Sequence, residues 1–213
     1  LSPPPSLRLA ALPLPAVPPP QQARAPLPTI TAKTAGHERR EGLVPIVLDA
    51  TTGQIWLELP KTGTRLLECL TLATGLGSNP VGLDRGSDGG CQVARFEPSG
   101  AHQLVILENW SYRSSFTDNP DHSRSVAEAF APSTVAALPI IAAEGDRVLV
   151  DATDYLLHDW MDISRTLARG DEGEFALVKE RSAIDDPPHR ATPDNTEPER
   201  TTPFEPTAPP RTY

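Results

Sequence analysis

Alternating apolar and polar positions mark three strand pairs along the chain. In "GLVPIVLDATTGQIWLELP" (42–60), Val44, Ile46 and Leu48 alternate with Pro45, Val47 and Asp49. Beyond a "DATTG" turn, Ile55, Leu57 and Leu59 alternate with Gln54, Trp56 and Glu58. This period of two predicts a hairpin, with Gly53 free to take the positive φ of its turn. Pro45 has no N–H to give to a ladder, so its strand is expected at a sheet edge. "RLLECLTLA" (65–73) is a single apolar strand. "CQVARFEPSGAHQLVILEN" (91–109) predicts a second hairpin around Pro98-Ser99-Gly100, and "TVAALPIIAAEGDRVLVDA" (134–152) a third, turned at Glu144-Gly145-Asp146. "GEFALVKERSAI" (173–184) reads as a last strand. Helical signals are few. One short helix is expected over Ser123–Phe130, stopped by Pro132; in "TDYLLHDWMDISRTLA" (153–168), Leu156, Ile163 and Leu167 recur near helical spacing behind Thr153 or Asp154 as N-cap. The pattern predicts an α+β domain, mostly antiparallel β-sheet with a few short helices.

Proline sets the outer limits of that domain. Of 25 prolines in 213 residues, ten lie in 1–28 and eight in 185–213. Such ends bury too little apolar surface to offset the entropy of ordering, so both are expected to be disordered. The division that follows is a Pro-rich leader over 1–40, a folded domain over 41–184 and a Pro-rich tail over 185–213. A domain of that size buries about 68–70% of its unfolded surface, enough for a core of its own. In the leader, the apolar patch Leu9–Val17 and Ala23-Arg24-Ala25 imitate a signal sequence with its cleavage site, but prolines inside the patch make a poor helix, and the alternative is a disordered linker. The net charge of −9, without a long Lys/Arg cluster, disfavours nucleic acid as a partner. No apolar run reaches the roughly 18 residues of a membrane span. Cys69 and Cys91 either pair in an oxidising compartment or remain buried thiols.

Between the second and third apolar runs lies "TGLGSNPVGLDRGSDGG" (74–90), whose glycines imitate three ligand loops. Gly77 and Gly82 have phosphate-loop spacing, but Leu83-Asp84 stands where Lys and Ser/Thr are required, and an aspartate repels phosphate. The dinucleotide pattern fails because Pro80 occupies the third glycine position and no βαβ unit surrounds it. As a calcium loop, "DRGSDG" ends on Arg95 at its twelfth position, where a bidentate Glu is needed. The expectation is therefore an ordered connection over Gly75–Gly90. Gly82 and Gly86 supply special backbone angles, Asn79 forms a turn before Pro80, and Asp84 and Arg85 act as loop anchors or as an interface.

Asp151, Asp154, His158 and Asp162 form the best carboxylate–imidazole cluster. If the segment is one helix, Asp154, His158 and Asp162 fall at i, i+4 and i+8 on one face, where they either hold a metal or merely face solvent, while Asp151 and Asp154 suit helix capping. His102 and His122 have no partner in sequence, and Ser111, Ser114 and Ser115 lack a nucleophile elbow. No catalytic, metal or cofactor site is assigned.

Three runs occur in a fixed order: "GLGSNPVGLDRG", "AFAPS" and "VDATDYLL". Together they resemble an uncharacterised N-terminal domain of bacterial zinc-dependent, metzincin-like metalloproteases. The similarity extends from about Glu41 to Ile184. It implies a secreted or periplasmic setting and a catalytic metalloprotease domain as partner, with zinc held only there. HExxH, the two-His helix motif that holds such a zinc, does not occur: "HERRE" (37–41) lacks the second His and "HDWMD" (158–162) has Asp in its place. The tail should continue into further strands on the family pattern, yet Pro198, Pro203 and Pro206 oppose ladder pairing. The expectation is a fragment, or a copy without its C-terminal part. Three functions compete: a non-catalytic platform for folding, docking or substrate presentation; a free-standing peptide- or glycan-binding β module using Trp56, Trp110 and Tyr112; and a metal-dependent hydrolase using the Asp/His stripe, which the missing HExxH disfavours.

Overall fold

A computed structural model describes residues 26–75, 81–108, 118–185 and 190–208. Eight strands form one antiparallel sheet, curled into a half-barrel. They are β1 (Glu38–Arg40), β2 (Ile46–Asp49), β3 (Gln54–Pro60), β4 (Thr64–Thr71), β5 (Asp88–Ser99), β6 (His102–Glu108), β7 (Ser133–Glu144) and β8 (Arg147–Asp151). Their order across the sheet is β1-β2-β3-β8-β7-β6-β5-β4. The three predicted hairpins are the pairs β2–β3, β5–β6 and β7–β8, with Gly53, Gly100 and Gly145 at positive φ in their turns. Gly100 and Gly145, both at φ 58°, take the left-handed conformation that a tight strand reversal requires.

The main core lies on one face of the sheet. There Ile46, Ile55, Leu57, Leu59, Phe96, Val105, Leu138, Val148 and Val150 pack with Tyr155, Leu156 and Leu157. The alternation read from the sequence puts every second residue of β3 and β8 into this core. The opposite face carries a smaller cluster, Val47, Trp56, Ala142 and Leu149, closed by Ile30 of helix α1 (Ile30–Thr34).

Helix α1 and β1 belong to the stretch expected to be disordered, and the structure corrects that expectation for residues 26–40. Thr29 caps the helix by accepting from the Ala32 N–H at 3.1 Å. Glu144 accepts from the Thr31 N–H at 2.8 Å and from its hydroxyl at 2.9 Å. Strand β1 pairs Glu38–Arg40 against Ile46–Leu48, so β2 is not the edge strand that Pro45 suggested. Pro45 instead precedes the ladder and offers only its carbonyl, which accepts from the Glu58 N–H at 3.0 Å. Residues 1–25 lie outside the described residues.

The tail is also structured where it is described. Strands β9 (Phe175–Leu177) and β10 (Ala183–Ile184), separated by a 3₁₀ turn at Lys179–Arg181, replace the single strand expected over 173–184. Strands β11 (Arg190–Thr192) and β12 (Asn195–Glu197) form a hairpin, β13 (Arg200–Thr201) pairs with β10, and β14 (Phe204–Pro206) pairs with β9. The prolines do not prevent this, because the ladders are short and Pro203 contributes its carbonyl, which accepts from the Val178 N–H at 2.9 Å.

The two remaining predicted helices differ in outcome. Helix α2 (Pro120–Ala129) begins three residues before the expected start, because Asn119 caps it and Pro120 occupies the first turn. The predicted helix over 153–168 is two pieces, α3 (Thr153–Leu156) and α4 (Ile163–Arg169). Asp159 causes the break. Its carboxylate accepts from the Ile163 N–H at 2.8 Å and the Ser164 N–H at 3.0 Å, starting a new helix at the point where the first should have continued.

Candidate functional site: a cleft at a seam in the sheet

Strand β7 is twelve residues long and β8 only five. Residues Ile140–Glu144 pair with β8, whereas among the described residues Ser133–Pro139 have their register partners in β6. Where β8 ends, the chain leaves the sheet, and Asp151 directs the turn. Its carboxylate accepts from the Thr153 N–H (3.0 Å) and hydroxyl (2.6 Å) on one oxygen and from the Gln54 amide (3.1 Å) on the other. The Ala152 N–H then donates to the Ile55 carbonyl at 2.9 Å. A cavity of about 620 Å³ opens at this seam, within the roughly 300–1,000 Å³ range of ligand clefts. One side is the β7 segment 135–139; facing it are Asp151, Asp154, Tyr155, His158, Trp160 and Lys179.

The turn 155–160 forms the floor and is held from several directions. The Trp160 indole N–H donates to the Tyr155 carbonyl at 2.6 Å, and its ring meets Tyr155 edge-on at 5.1 Å and His158 at 4.9 Å. The Tyr155 hydroxyl donates to Glu68 of β4. Arg200, from the tail, donates to the Leu156 carbonyl at 2.7 Å. Burial pushes the Tyr155 hydroxyl well above its ordinary pKa, and the negative charge of Glu68 adds to that. Burial lowers the Arg200 pKa, opposed by the nearby Glu68, Tyr155 and Asp159. The result is a semi-buried polar knot joining β4, the cleft floor and the tail.

The predicted metal stripe does not assemble. The helix break removes the common face, Asp151 is committed to the turn, Asp154 pairs with Lys179 at 2.8 Å, and Asp162, in the left-handed conformation, pairs with Arg165 at 3.4 Å. Among the described residues no three His, Cys, Asp or Glu side chains gather as a metal site. The N-cap of α3 is Ala152, without a side-chain bond; Asp151 instead holds the Thr153 N–H and hydroxyl at the turn into the helix, and Asp154 faces the cleft.

The glycine-rich loop lies elsewhere, at the outer end of the β4–β5 hairpin. Its second half runs only to Ser87, since β5 begins at Asp88. The anchor is Ser87 with the backbone of Leu72: the Asp84 N–H donates to the Ser87 hydroxyl at 3.0 Å, and the Gly86 N–H donates to the Leu72 carbonyl at 2.7 Å. Leu83 is buried beneath it. Gly82 and Gly86 have φ of 73° and 82°, as expected of them. Asp84 and Arg85 are exposed and, among the described residues, their side chains make no ion pair; Asp84 takes part in the anchor through its backbone, bonded to Ser87. Asn79 lies outside the described residues, as do Trp110, Tyr112 and the serines at 111, 114 and 115.

Cys69 and Cys91 oppose each other across β4 and β5 and form a disulfide, with Cα atoms 4.1 Å apart. Both are exposed, which replaces the alternative of buried thiols. Trp56 is completely buried under α1, with Lys33 stacked over its ring at 4.4 Å, so it offers no binding surface. Sequence reasoning missed Tyr155, Trp160 and Lys179 as cleft residues. One local signal was available: Pro139 inside an apolar strand marks a position where the ladder has no partner on one side.

Residues 86–212 match the profile of a family described as "Domain of unknown function (DUF5117)". No curated protein matches the chain, and no solved structure does.

Proposed function

The chain belongs to the DUF5117 family, and from that premise we propose that it is a non-catalytic, polypeptide-docking domain of a zinc-dependent metalloprotease-like protein. One observation carries the docking reading: the seam cleft, where a strand edge faces a pocket with an aromatic floor and a charged rim. The metalloprotease association rests on the order of the "GLGSNPVGLDRG", "AFAPS" and "VDATDYLL" runs. The cleft takes the segment to be presented, and the exposed loop bearing Asp84 and Arg85 meets the catalytic domain, where the zinc resides. The exposed Cys69–Cys91 disulfide suits a secreted or periplasmic setting, since such bonds persist in oxidising compartments. A glycan-binding role draws no support from Trp56, because its ring is covered.

The test is binding without turnover. Fluorescein-labelled, reduced and carboxymethylated lactalbumin, an unfolded polypeptide, is titrated with the chain and followed by anisotropy and by gel. Saturable binding with the polypeptide left intact is expected. Failure to bind, or chelator-sensitive cleavage that co-purifies with the chain, overturns the proposal.

A further inference from the structure

We infer that the cleft receives its polypeptide as an added β-strand, hydrogen-bonded to the open edge of β7; this rests on the docking reading and specifies its chemistry. The geometry of β7 shows which groups are available. The Ile140 N–H donates to the Ala101 carbonyl at 2.9 Å, toward β6. In an antiparallel pair, alternate residues point their main-chain groups to the same side. Leu138 and Ala136, paired with Gln103 and Val105, therefore also serve β6, whereas Ala137 and Pro139 direct theirs to the seam. Pro139 lacks an N–H, and its carbonyl closes the last rung with β8 beside the Ile140–Val150 pair, so this stretch presents one donor and one acceptor, the N–H and the carbonyl of Ala137.

These groups are accessible. Ala137 and Pro139 are exposed, and neither side chain is large enough to shield the backbone. The β8 chain that would have covered them has already turned away at Asp151. The bulge at Val135, between the partners of Val105 and Ile106, the second at Ile141, between Ile140 and Ala142, and Pro139 itself all limit the edge to a short ladder. That limit opposes indiscriminate edge-to-edge pairing of two copies while leaving room for a short strand.

The floor defines the occupant further. Leu138, Tyr155 and Trp160 share the core face of the sheet, so a side chain of the added strand pointing that way meets aromatic and aliphatic surface. The opposite side chains face solvent. His158 and the Asp154–Lys179 pair stand at the rim. The fitting ligand is an extended segment of alternating apolar and polar residues, held mainly through its backbone and thus tolerant of sequence.

The probe is a capped, fluorescein-labelled peptide of alternating Thr and Val ending in Lys, compared with the same sequence N-methylated at alternate amides. Ala137→Pro removes the outward N–H without touching a β6 bond, and Ala137→Ser keeps that N–H. Loss of one such bond corresponds to about tenfold weaker binding. Expected are saturable binding of the parent peptide, about tenfold loss for A137P, a similar loss for the N-methylated form on the unaltered protein, and little change for A137S. The N-methylated comparison stands even if A137P fails to fold. Equal binding of parent and N-methylated peptides, or no binding of the parent at millimolar concentration, overturns strand addition. Lactalbumin binding that is indifferent to A137P also overturns strand addition while leaving the docking reading intact; absence of lactalbumin binding by the unaltered chain removes the docking reading itself.

Discussion

Replacing Arg200 tests whether the tail is part of the fold. Arg200 comes from a proline-rich segment with little apolar surface, yet it reaches the carbonyl of Leu156 beneath the cleft and lies within electrostatic reach of Glu68. Arg200→Ala removes a charged hydrogen bond, a loss of about 1.5–3 kcal/mol, and leaves the Leu156 carbonyl without that donor. It also leaves Glu68 with the Tyr155 hydroxyl but without its cation. Breaking a fully buried ion pair costs about 3–5 kcal/mol, but Glu68 and Arg200 are both only half-buried, and solvent screening reduces that share. A net loss of about 2–3 kcal/mol follows. At a urea slope of about 1–3 kcal/mol/M, the unfolding midpoint should fall by about 1 M or more.

Equilibrium urea unfolding followed by tryptophan emission provides the measurement. Trp160 sits on the affected turn and Trp56 on the far face, so a shift shared by the whole transition reports global destabilisation. The Arg200→Ala, Glu68→Gln double-mutant cycle isolates the coupling between the two charges. If the tail were merely draped over the domain, Arg200→Ala would change stability by no more than about 0.5 kcal/mol, as at an ordinary surface position. A shift that small, with no coupling to Glu68, refutes the reasoning.

Three further outcomes are expected. Cys69→Ser with Cys91→Ser opens a bond between residues 22 apart, for which chain entropy gives a loss of about 3 kcal/mol; unchanged urea midpoints with and without reductant would contradict it. Gly82→Ala and Gly86→Ala should each cost about 1 kcal/mol through backbone strain alone, because no atom lies within 4 Å of the added methyl, and thermal unfolding midpoints equal to the parent's would show the positive φ to be unnecessary. The Thr31 N–H, and then its hydroxyl, hold the Glu144 carboxyl below its ordinary pKa, so its contribution to docking α1 is present above the unfolded-state value of about 4.3 and is lost as pH falls through the lower, folded value. Trp56 emission should report that detachment on acidification, and Glu144→Gln should remove the pH step; a step that persists in the variant would assign it to another group.

The sequence revealed those parts of the fold that carry their own hydrophobic pattern. The three hairpins alternate apolar and polar residues over four to twelve positions; burial follows that alternation along parts of β5, β6 and β7, whereas β2, β3 and β8 are buried on both faces, the second cluster at α1 taking Val47, Trp56 and Leu149. Strands β1, β11, β12 and β13 have two or three residues each, chiefly charged or polar, and exist through main-chain bonds and a few side-chain contacts such as Arg200 to Leu156. No local pattern encodes such strands, so proline density misled the reading of both ends. The helix over 153–168 failed for another reason. Leu156, Ile163 and Leu167 keep helical spacing across a break made by a single carboxylate, Asp159, whose capping role depends on where the chain has already turned. The cleft was illegible because it arises from a mismatch in length between two paired strands; only Pro139 marked it locally.

The polar knot explains why the cleft and the tail belong to one design. A binding site is most effective when its geometry exists before the ligand arrives, since ordering side chains on binding subtracts from affinity. Of the floor residues, Tyr155 sits in the four-residue helix α3 and Trp160 in the non-helical turn that follows it, a place with little intrinsic rigidity. Rigidity comes from outside through Glu68, which holds the Tyr155 hydroxyl, and Arg200, which holds the Leu156 carbonyl, and from within through Asp159, which anchors the next helix. Lys179 reaches the rim from the 3₁₀ turn between β9 and β10, strands that are themselves paired to β14 and β13. Removing the segment after Ile184 therefore deletes Arg200 and both tail partners while leaving every cleft-lining residue in the chain. The shortened protein should retain the β7 edge but bind the Thr/Val peptide more weakly than Arg200→Ala alone, because the rim loses its support together with the floor. Equal affinity of the shortened and full chains for that peptide would show the cleft to be self-sufficient and the tail to serve stability only.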